Sequence, residues 1–264
     1  MKTIKELLEF SIINIDKPSG PISYQISDYV REKLGLRKTS HLGTLDPAVT
    51  GVLPIAINRA CKLSTYLMKK DKTYIGIMRL HEDIDDKQLK QEMKKFVGTI
   101  TQLPPVRSSV KRAERERNVM KFNFIEREGK DVLFEADVEA GTYIRTLVND
   151  LGKEIGGAHM LELRRTKAGI FEEKDAITLY DFDKAVEDYK NGNEKKLREI
   201  LTPADEILKK SMPVISIGNK KLKEILTGKP IHKQDLKNKI EIDKGAFVAV
   251  FCDDKFIEVA RVVN

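Results

Sequence analysis

The feature that most constrains the fold is a change of hydrophobic period between residues 120 and 155. Apolar and polar residues alternate at 120–124 and again at 132–138, on either side of a turn-forming segment at 127–130. This alternation predicts an antiparallel pair of strands. After Gly141-Thr142-Tyr143 the apolar residues follow a helical spacing instead: Ile144, Leu147, Val148, Leu151 and Ile155. A chain with both patterns is predicted to be an α+β protein.

The rest of the chain divides into further elements and two domains. Ser23 is predicted to cap a helix that ends at Gly35, and Arg164-Arg165 to follow the end of a strand. The composition changes near Met212-Pro213, and a short strand, one helix and two further strands beyond this point indicate a small β-rich module. We therefore predict domains at 1–205 and 206–264. The other predicted strands are 12–15, 72–80, 159–163, 246–251 and 256–262, and the other predicted helices are 60–67, 85–96, 178–186, 197–200 and 219–227.

Charge and composition restrict the possible partners. The chain has 264 residues, a net charge of +7 and a pI near 9.1, which favours a polyanionic partner, first nucleic acid and second an anionic membrane surface. It has no run of about 18 apolar residues and no apolar signal-peptide core, so a cytoplasmic location is expected. Cys61 and Cys252 are far apart, which fits a reducing compartment, and the scattered histidines predict no metal site.

Residues 41–54 contain the strongest candidate for chemistry. Asp46 precedes a proline, and glycines on both sides of it redirect the backbone, so its carboxylate is expected to be held in place. An isolated Asp-Pro is most often only a turn. Arg145 stands near the positive end of a predicted helix, where a cation is unfavourable unless it faces a carboxylate or a phosphate. The segment 102–112 is irregular at Pro104-Pro105 and basic, which is also typical of a solvated charged loop.

Blocks of sequence in a fixed order carry a family resemblance. The blocks are Lys17–Ser23, Gly43–Pro54, Lys72–Tyr74, Gln102–Lys111, Gly141–Gly152 and Gly157–Arg165. Together they resemble the TruB/dyskerin class of RNA pseudouridine synthases, and most of all its archaeal members, the catalytic subunits of H/ACA guide-RNA complexes. The segment Met78–Asp83 resembles the corresponding segment of the archaeal and eukaryotic members, and the C-terminal module resembles a PUA domain.

The resemblance implies a fold, a reaction and partners. The fold would have a mixed, mainly antiparallel central sheet, with a small β-rich PUA domain on which residues 1–11 are expected to pack. The reaction would convert specific uridines of rRNA or tRNA to pseudouridine, with no cofactor. The partners would be the RNA substrate, an H/ACA guide RNA and small ribonucleoprotein subunits. Two alternatives stay open, a stand-alone tRNA T-loop synthase and a non-catalytic RNA-binding scaffold.

The resemblance also assigns roles to residues. Asp46 would be the catalytic nucleophile or proton acceptor in a largely dry site, and Arg145 its charged partner. Tyr74 would stack on the flipped base, although a buried structural tyrosine is the alternative. His41 would contact RNA, unless it is an ordinary hydrogen-bonded loop histidine. The predicted substrate- and RNA-binding residues are His41, Leu163, Lys17, Lys72, Arg112 and Arg165.

Overall fold

A computed structural model describes residues 2–105, 111–238 and 240–263 of the chain. The chain separates into two compact units, Met1–Leu201 and Thr202–Asn264. Residue 205, the predicted domain boundary, lies inside the helix Ala204–Ser211 of the second unit. No helix in the described ranges is both long enough and apolar enough to cross a membrane.

The first unit contains most of the strands and helices. Its strands are β1 (Ser11–Lys17), β2 (Thr39–His41), β3 (Thr50–Ile57), β4 (Lys72–Leu80), β5 (Gly98–Gln102), β6 (Arg115–Glu128), β7 (Asp131–Val138), β8 (Ala158–Ala168) and β9 (Phe171–Glu172). Its α-helices are α1 (Ile4–Glu9), α2 (Ser23–Leu34), α3 (Ser64–Leu67), α4 (Asp86–Lys95), α5 (Ile144–Glu154), α6 (Leu179–Lys190) and α7 (Lys195–Ile200). Short 3-10 helices lie at Asn58–Leu63 and Glu173–Asp175.

One sheet organises the first unit. Its strands follow the order β1-β3-β8-β4-β7-β6-β5, with β2 added to β3 and β9 added to β8. The β3–β8 pair is parallel, and the other pairs in this order are antiparallel. The apolar stripe of α5 is buried in the core, as its helical spacing predicts. The prediction of an α+β fold with a mixed, mainly antiparallel sheet is confirmed.

Two local predictions need correction. Ile22, not Ser23, is the N-cap of α2, because the Ser23 hydroxyl is hydrogen-bonded to the backbone of Leu45 instead of its own helix. The strand predicted at 159–163 continues to Ala168 as β8, because β4 pairs with it beyond that point, including at Arg164 and Arg165. Ser23 contacts Leu45 in the loop that carries Asp46. Arg164 and Arg165 pair with β3, the strand that follows this loop.

The second unit is small and has its own core. It contains β10 (Thr202–Pro203), α8 (Ala204–Ser211), β11 (Val214–Ile217), α9 (Asn219–Leu226), β12 (Phe247–Cys252) and β13 (Lys255–Arg261), with a 3-10 helix at Lys233–Asp235. Strand β12 lies between β11, to which it is parallel, and β13, to which it is antiparallel. The α9 helix and the last two strands match the predicted elements. One buried hydrophobic cluster of this unit contains Ile215, Ile217, Ile225, Val248, Val250 and Cys252.

Candidate active site

Asp46 lies in the loop that joins the antiparallel strands β2 and β3. The Val49 N–H donates to the Asp46 carbonyl at 3.0 Å, and the Leu42 N–H donates to the Pro54 carbonyl at 2.8 Å. These bonds give the loop a hydrogen-bonded turn and a closed base. The Asp46 side chain is 48% exposed.

Arg145 is the charged partner of Asp46. Its Nη2 lies 2.7 Å from Asp46 Oδ2, and its side chain is 49% exposed. Arg145 is the second residue of α5, so the ion pair offsets the unfavourable position of a cation at a helix N-terminus. The expected dry site is not present in this structure, because both partners are about half exposed. An exposed pair adds little to stability, but it leaves the carboxylate accessible to a substrate.

Gln102 fixes the end of α5 that carries Arg145. Its Nε2 donates to the Tyr143 carbonyl at 3.2 Å, and its Oε1 accepts from the Tyr143 N–H at 3.0 Å. Tyr143 is the N-cap of α5, and Gln102 is 3% exposed. Sequence reasoning missed this role, for which the only signal is an amide at the start of the Pro-Pro segment. Residues 106–110 of that segment lie outside the described residues.

Ser23 holds the residue before Asp46. Its Oγ accepts from the Leu45 N–H at 2.7 Å and donates to the Leu45 carbonyl at 3.1 Å. Ser23 is 1% exposed, so no water competes easily for these backbone groups. The hydroxyl therefore ties the first turn of α2 to the loop.

Lys17 holds the residue after Asp46. Its Nζ donates to the carbonyls of Pro18, at 2.8 Å, and Pro47, at 3.0 Å. The Gly20 N–H donates to the same Pro47 carbonyl at 2.9 Å. Burial lowers the pKa of Lys17, and the nearby charge of Asp46 acts in the opposite direction. The carboxylate thus stands between two residues whose backbone is hydrogen-bonded to buried groups.

Two more buried cations, Lys72 and Arg165, lie near Gly43. Lys72 Nζ donates to the Met68 carbonyl at 2.6 Å and to the Lys70 carbonyl. Burial, together with the charge of Arg165, lowers the pKa of Lys72 to about 8. A Cβ on Gly43 would lie 3.4 Å from Arg165 Nη1 and 3.8 Å from Lys72 Cε, so this glycine packs closely against both side chains.

Lys17, Lys72 and Arg165, whose contact with substrate or RNA stays a prediction, are buried in this structure. They are 0%, 7% and 1% exposed, and their nitrogens donate to backbone carbonyls. A phosphate could reach these groups only if they left the carbonyls. Sequence reasoning counted their charge correctly but could not tell that their side chains point inward.

His41 and Arg112 occupy different surroundings. His41 Nε2 lies 3.2 Å from Thr44 Oγ1, and burial, with a smaller contribution from Arg165, lowers the pKa of His41. Its ring therefore favours the neutral form at neutral pH. Arg112 is exposed and precedes β6, so its predicted contact with RNA stays a prediction.

Tyr74 and Leu163 lie on one face of neighbouring strands. Tyr74 on β4 is paired with Arg165 on β8, and Gly76 is paired with Leu163. Paired residues share a face of the sheet, so Leu163 lies next to Tyr74 and Arg165. A Cβ on Gly76 would be 2.9 Å from Leu163 Cδ1 and 2.6 Å from the Phe134 ring, so the glycine makes room for both side chains. Tyr74 is 8% exposed and Leu163 is 7% exposed.

The chemistry available here is that of one accessible carboxylate beside one arginine. In the described part of the chain, no group of three or more His, Cys, Asp or Glu residues is placed to hold a metal ion. A carboxylate held by its backbone and paired with a cation can act as a nucleophile or accept a proton. An apolar face with an aromatic ring suits a planar, partly apolar substrate group.

Comparisons with known proteins show which families and structures the chain is similar to. The family described as "TruB family pseudouridylate synthase (N terminal domain)" matches residues 31–144, and "tRNA pseudouridylate synthase B C-terminal domain" matches residues 145–209. A Methanopyrus kandleri protein named "Probable tRNA pseudouridine synthase B" is 42% identical over 256 residues, which are 95% of this chain and 75% of that protein. A Nanoarchaeum equitans protein of the same name is 46% identical over 210 residues, 79% of this chain and 60% of that protein.

Two solved structures match nearly the whole chain. A chain of the "Crystal Structure of a Cbf5-Nop10-Gar1 Complex" has a TM-score of 0.93 and 36% identity, and the match covers 99% of this chain and 81% of that one. A chain of the "Structure of H/ACA RNP bound to a substrate RNA containing 2'-deoxyuridine" has a TM-score of 0.90 and 34% identity, with coverage of 99% and 81%.

Proposed function

The chain belongs to the TruB family of RNA pseudouridine synthases, which are isomerases, and from this premise we propose that it modifies specific uridines as the catalytic subunit of a guide-RNA-directed ribonucleoprotein. The observation that carries the catalytic part is the 2.7 Å contact between Asp46 and Arg145 on a loop held by buried groups. A protein that only bound RNA would not need an accessible carboxylate paired in this way.

The proposed reaction uses Asp46 directly. Pseudouridine forms when the bond between uracil N1 and ribose C1′ breaks and a new bond joins C5 to C1′; the C5 proton leaves and N1 gains a proton. The product is an isomer of the substrate, so the reaction needs no oxidant and no group donor. In this proposal Asp46 attacks the nucleotide or accepts a proton from it, while the ion pair with Arg145 orients the carboxylate.

The target base needs a surface outside the RNA helix. A uridine must be flipped out of its stack before a side chain can reach its reacting atoms. We assign Tyr74 and Leu163 to the apolar side of the pocket that receives it, since they lie on one face beside Arg165. His41 and Arg112 are assigned to RNA contact, because Arg112 is exposed and His41 lies in the same loop as Asp46.

The guide-dependent assignment rests on whole-chain similarity. The structural match to the chain of an H/ACA ribonucleoprotein with bound substrate RNA covers 99% of this chain, including the second unit. We therefore assign the second unit, Thr202–Asn264, to a PUA-like RNA-binding domain, and small ribonucleoprotein proteins to the set of partners. The net charge of +7 supports contacts with RNA.

Changing Asp46 to Asn tests the catalytic assignment. The substitution keeps the shape of the side chain but removes the carboxylate, so pseudouridine formation should be lost while RNA affinity stays close to that of the unmodified protein. Asp28→Asn is a matched control, because Asp28 is a surface carboxylate paired with Arg31 in α2. If Asp46→Asn still isomerises uridine at the normal rate, the proposed mechanism is wrong.

Mapping pseudouridines with and without guide RNA tests the guide assignment. Unmodified rRNA and tRNA are incubated with the protein alone, and then with an H/ACA guide and its partner proteins. We expect modification at sites complementary to the guide only in the second reaction. Efficient modification of the tRNA T-loop by the protein alone would instead support the stand-alone synthase.

A further inference from the structure

The guanidinium group of Arg165 is hydrogen-bonded to both ends of the loop that carries Asp46. Arg165 Nη2 donates to the Gly43 carbonyl at 3.0 Å, and Arg165 Nε donates to the Val52 carbonyl at 2.8 Å. Asp46 lies between these two carbonyls in the sequence. A single planar group with donors in a fixed arrangement therefore closes the loop at both ends.

The backbone of Arg165 also fixes one end of this loop. In the parallel β3–β8 pair, Gly51 is paired with Arg165 and Thr50 with Arg164. A Cβ on Gly51 would lie 2.2 Å from the Arg165 carbonyl oxygen, so only glycine allows the strands to approach this closely. The side chain and the backbone of one residue thus act on the same segment, residues 43–52.

Arg165 is placed to hold protein backbone and not to bind RNA. Its side chain is 1% exposed, and among the described residues it forms no ion pair. The adjacent Arg164 differs, since it is paired with Asp16 and Glu173. Burying a cation with no carboxylate beside it is costly, so the two loop carbonyls are the interactions that offset this cost.

From these contacts we propose that Arg165 is a positioning residue, which acts through the loop backbone to hold the Asp46 carboxylate against Arg145 and does not touch RNA. The inference rests on the proposed function for its catalytic consequence. Its structural consequence, a loop closed by Arg165, can be measured separately.

Arg165→Lys is the informative variant, and Arg164→Lys is its control. Lysine keeps the charge, but its single ammonium group lacks the two separated nitrogens that reach Gly43 and Val52. We expect kcat to fall about 10- to 100-fold, because small displacements of a reacting group have effects of this size. The Kd for RNA should stay within about twofold of the unmodified protein, since no phosphate contact is lost. Arg164→Lys should leave both quantities nearly unchanged.

Hydrogen exchange separates positioning from a general loss of structure. Peptides that cover residues 42–53 should exchange faster in Arg165→Lys, by about tenfold or more, while peptides from β6 and β7 keep their protection. If kcat falls but exchange of residues 42–53 is unchanged, Arg165 does not act through the loop. Weaker RNA binding with a smaller salt dependence would identify a phosphate contact and would also overturn the proposal.

A measurement on the unmodified protein covers the case in which the variant does not fold. The Arg165 Nε proton should give a slowly exchanging NMR signal that stays in place when RNA is added, whereas a rapidly exchanging or RNA-shifted signal refutes the clamp. If the unmodified protein forms no pseudouridine with any RNA, the proposed function fails. The exchange and NMR results still decide whether Arg165 closes the loop.

Discussion

Replacing Ser23 with alanine removes both hydrogen bonds that tie α2 to the residue before Asp46. The Leu45 N–H and carbonyl lose their contacts of 2.7 and 3.1 Å, at a position where Ser23 is 1% exposed. A buried polar group without a partner costs about 1–3 kcal/mol, so the loss from two such groups should be about 2–6 kcal/mol. Alanine fits the helix at least as well as serine, so the loss does not come from helix propensity.

Ser27→Ala is the matched control for this prediction. Ser27 lies one turn later in the same helix, and its hydroxyl donates to Thr39 Oγ1 at 3.0 Å. The Thr39 hydroxyl still donates to the Ser27 carbonyl after the change, so only about 0.5–1.5 kcal/mol should be lost. Urea unfolding followed by far-UV circular dichroism gives the free energy of unfolding for both variants.

The activity of the two variants should also differ. Ser23→Ala frees the backbone next to the carboxylate, so kcat should fall about tenfold or more. Ser27→Ala does not touch the loop and should keep the normal kcat. Equal losses of stability in the two variants, together with equal kcat values, would refute the inference that Ser23 holds the loop.

Three further substitutions test other parts of the site. Arg145→Met should lower the rate of pseudouridine formation about 100-fold, yet change the free energy of unfolding by less than about 1 kcal/mol, because the pair with Asp46 is half exposed. Burial lowers the pKa of Lys72 to about 8, below the ordinary 10.5, so the unfolded chain binds more protons between these values. The free energy of unfolding should therefore rise from pH 8 to about pH 10, and urea titrations should show a smaller rise for Lys72→Met. Gly51→Ala should lower the melting temperature much more than Gly20→Ala: both glycines have positive φ, but only Gly51 faces a backbone oxygen, at 2.2 Å. Similar melting temperatures would contradict this account.

The local elements could be predicted because they depend on neighbours in the sequence. The alternation in β6 and β7 and the helical stripe of α5 follow from which side chains must be buried. Gly35, at φ +62°, ends α2 as predicted, since glycine adopts the left-handed conformation without strain. Asp46 and Arg145 were singled out by an Asp-Pro loop and by a misplaced cation, both of which are visible in sequence.

The contacts that hold the loop could not be predicted, because their partners are distant in sequence. Gln102 lies 41 residues from Tyr143, and Ser23 lies 22 residues from Leu45. A serine at a helix start and a glutamine at a strand end have common local roles, so their sequence context favours those roles. Only the folded sheet brings them to the backbone groups that they satisfy.

The sequence alone determined the α+β class, most elements and the family to which the carboxylate loop belongs. The tertiary structure decided what the buried cations do. Arg164 and Arg165 are adjacent and alike in sequence, yet successive residues of a strand point to opposite faces, and the pairing of β8 with β3 and β4 sets which face is inside. Arg164 therefore meets two carboxylates, whereas Arg165 meets the backbone of the loop that carries Asp46.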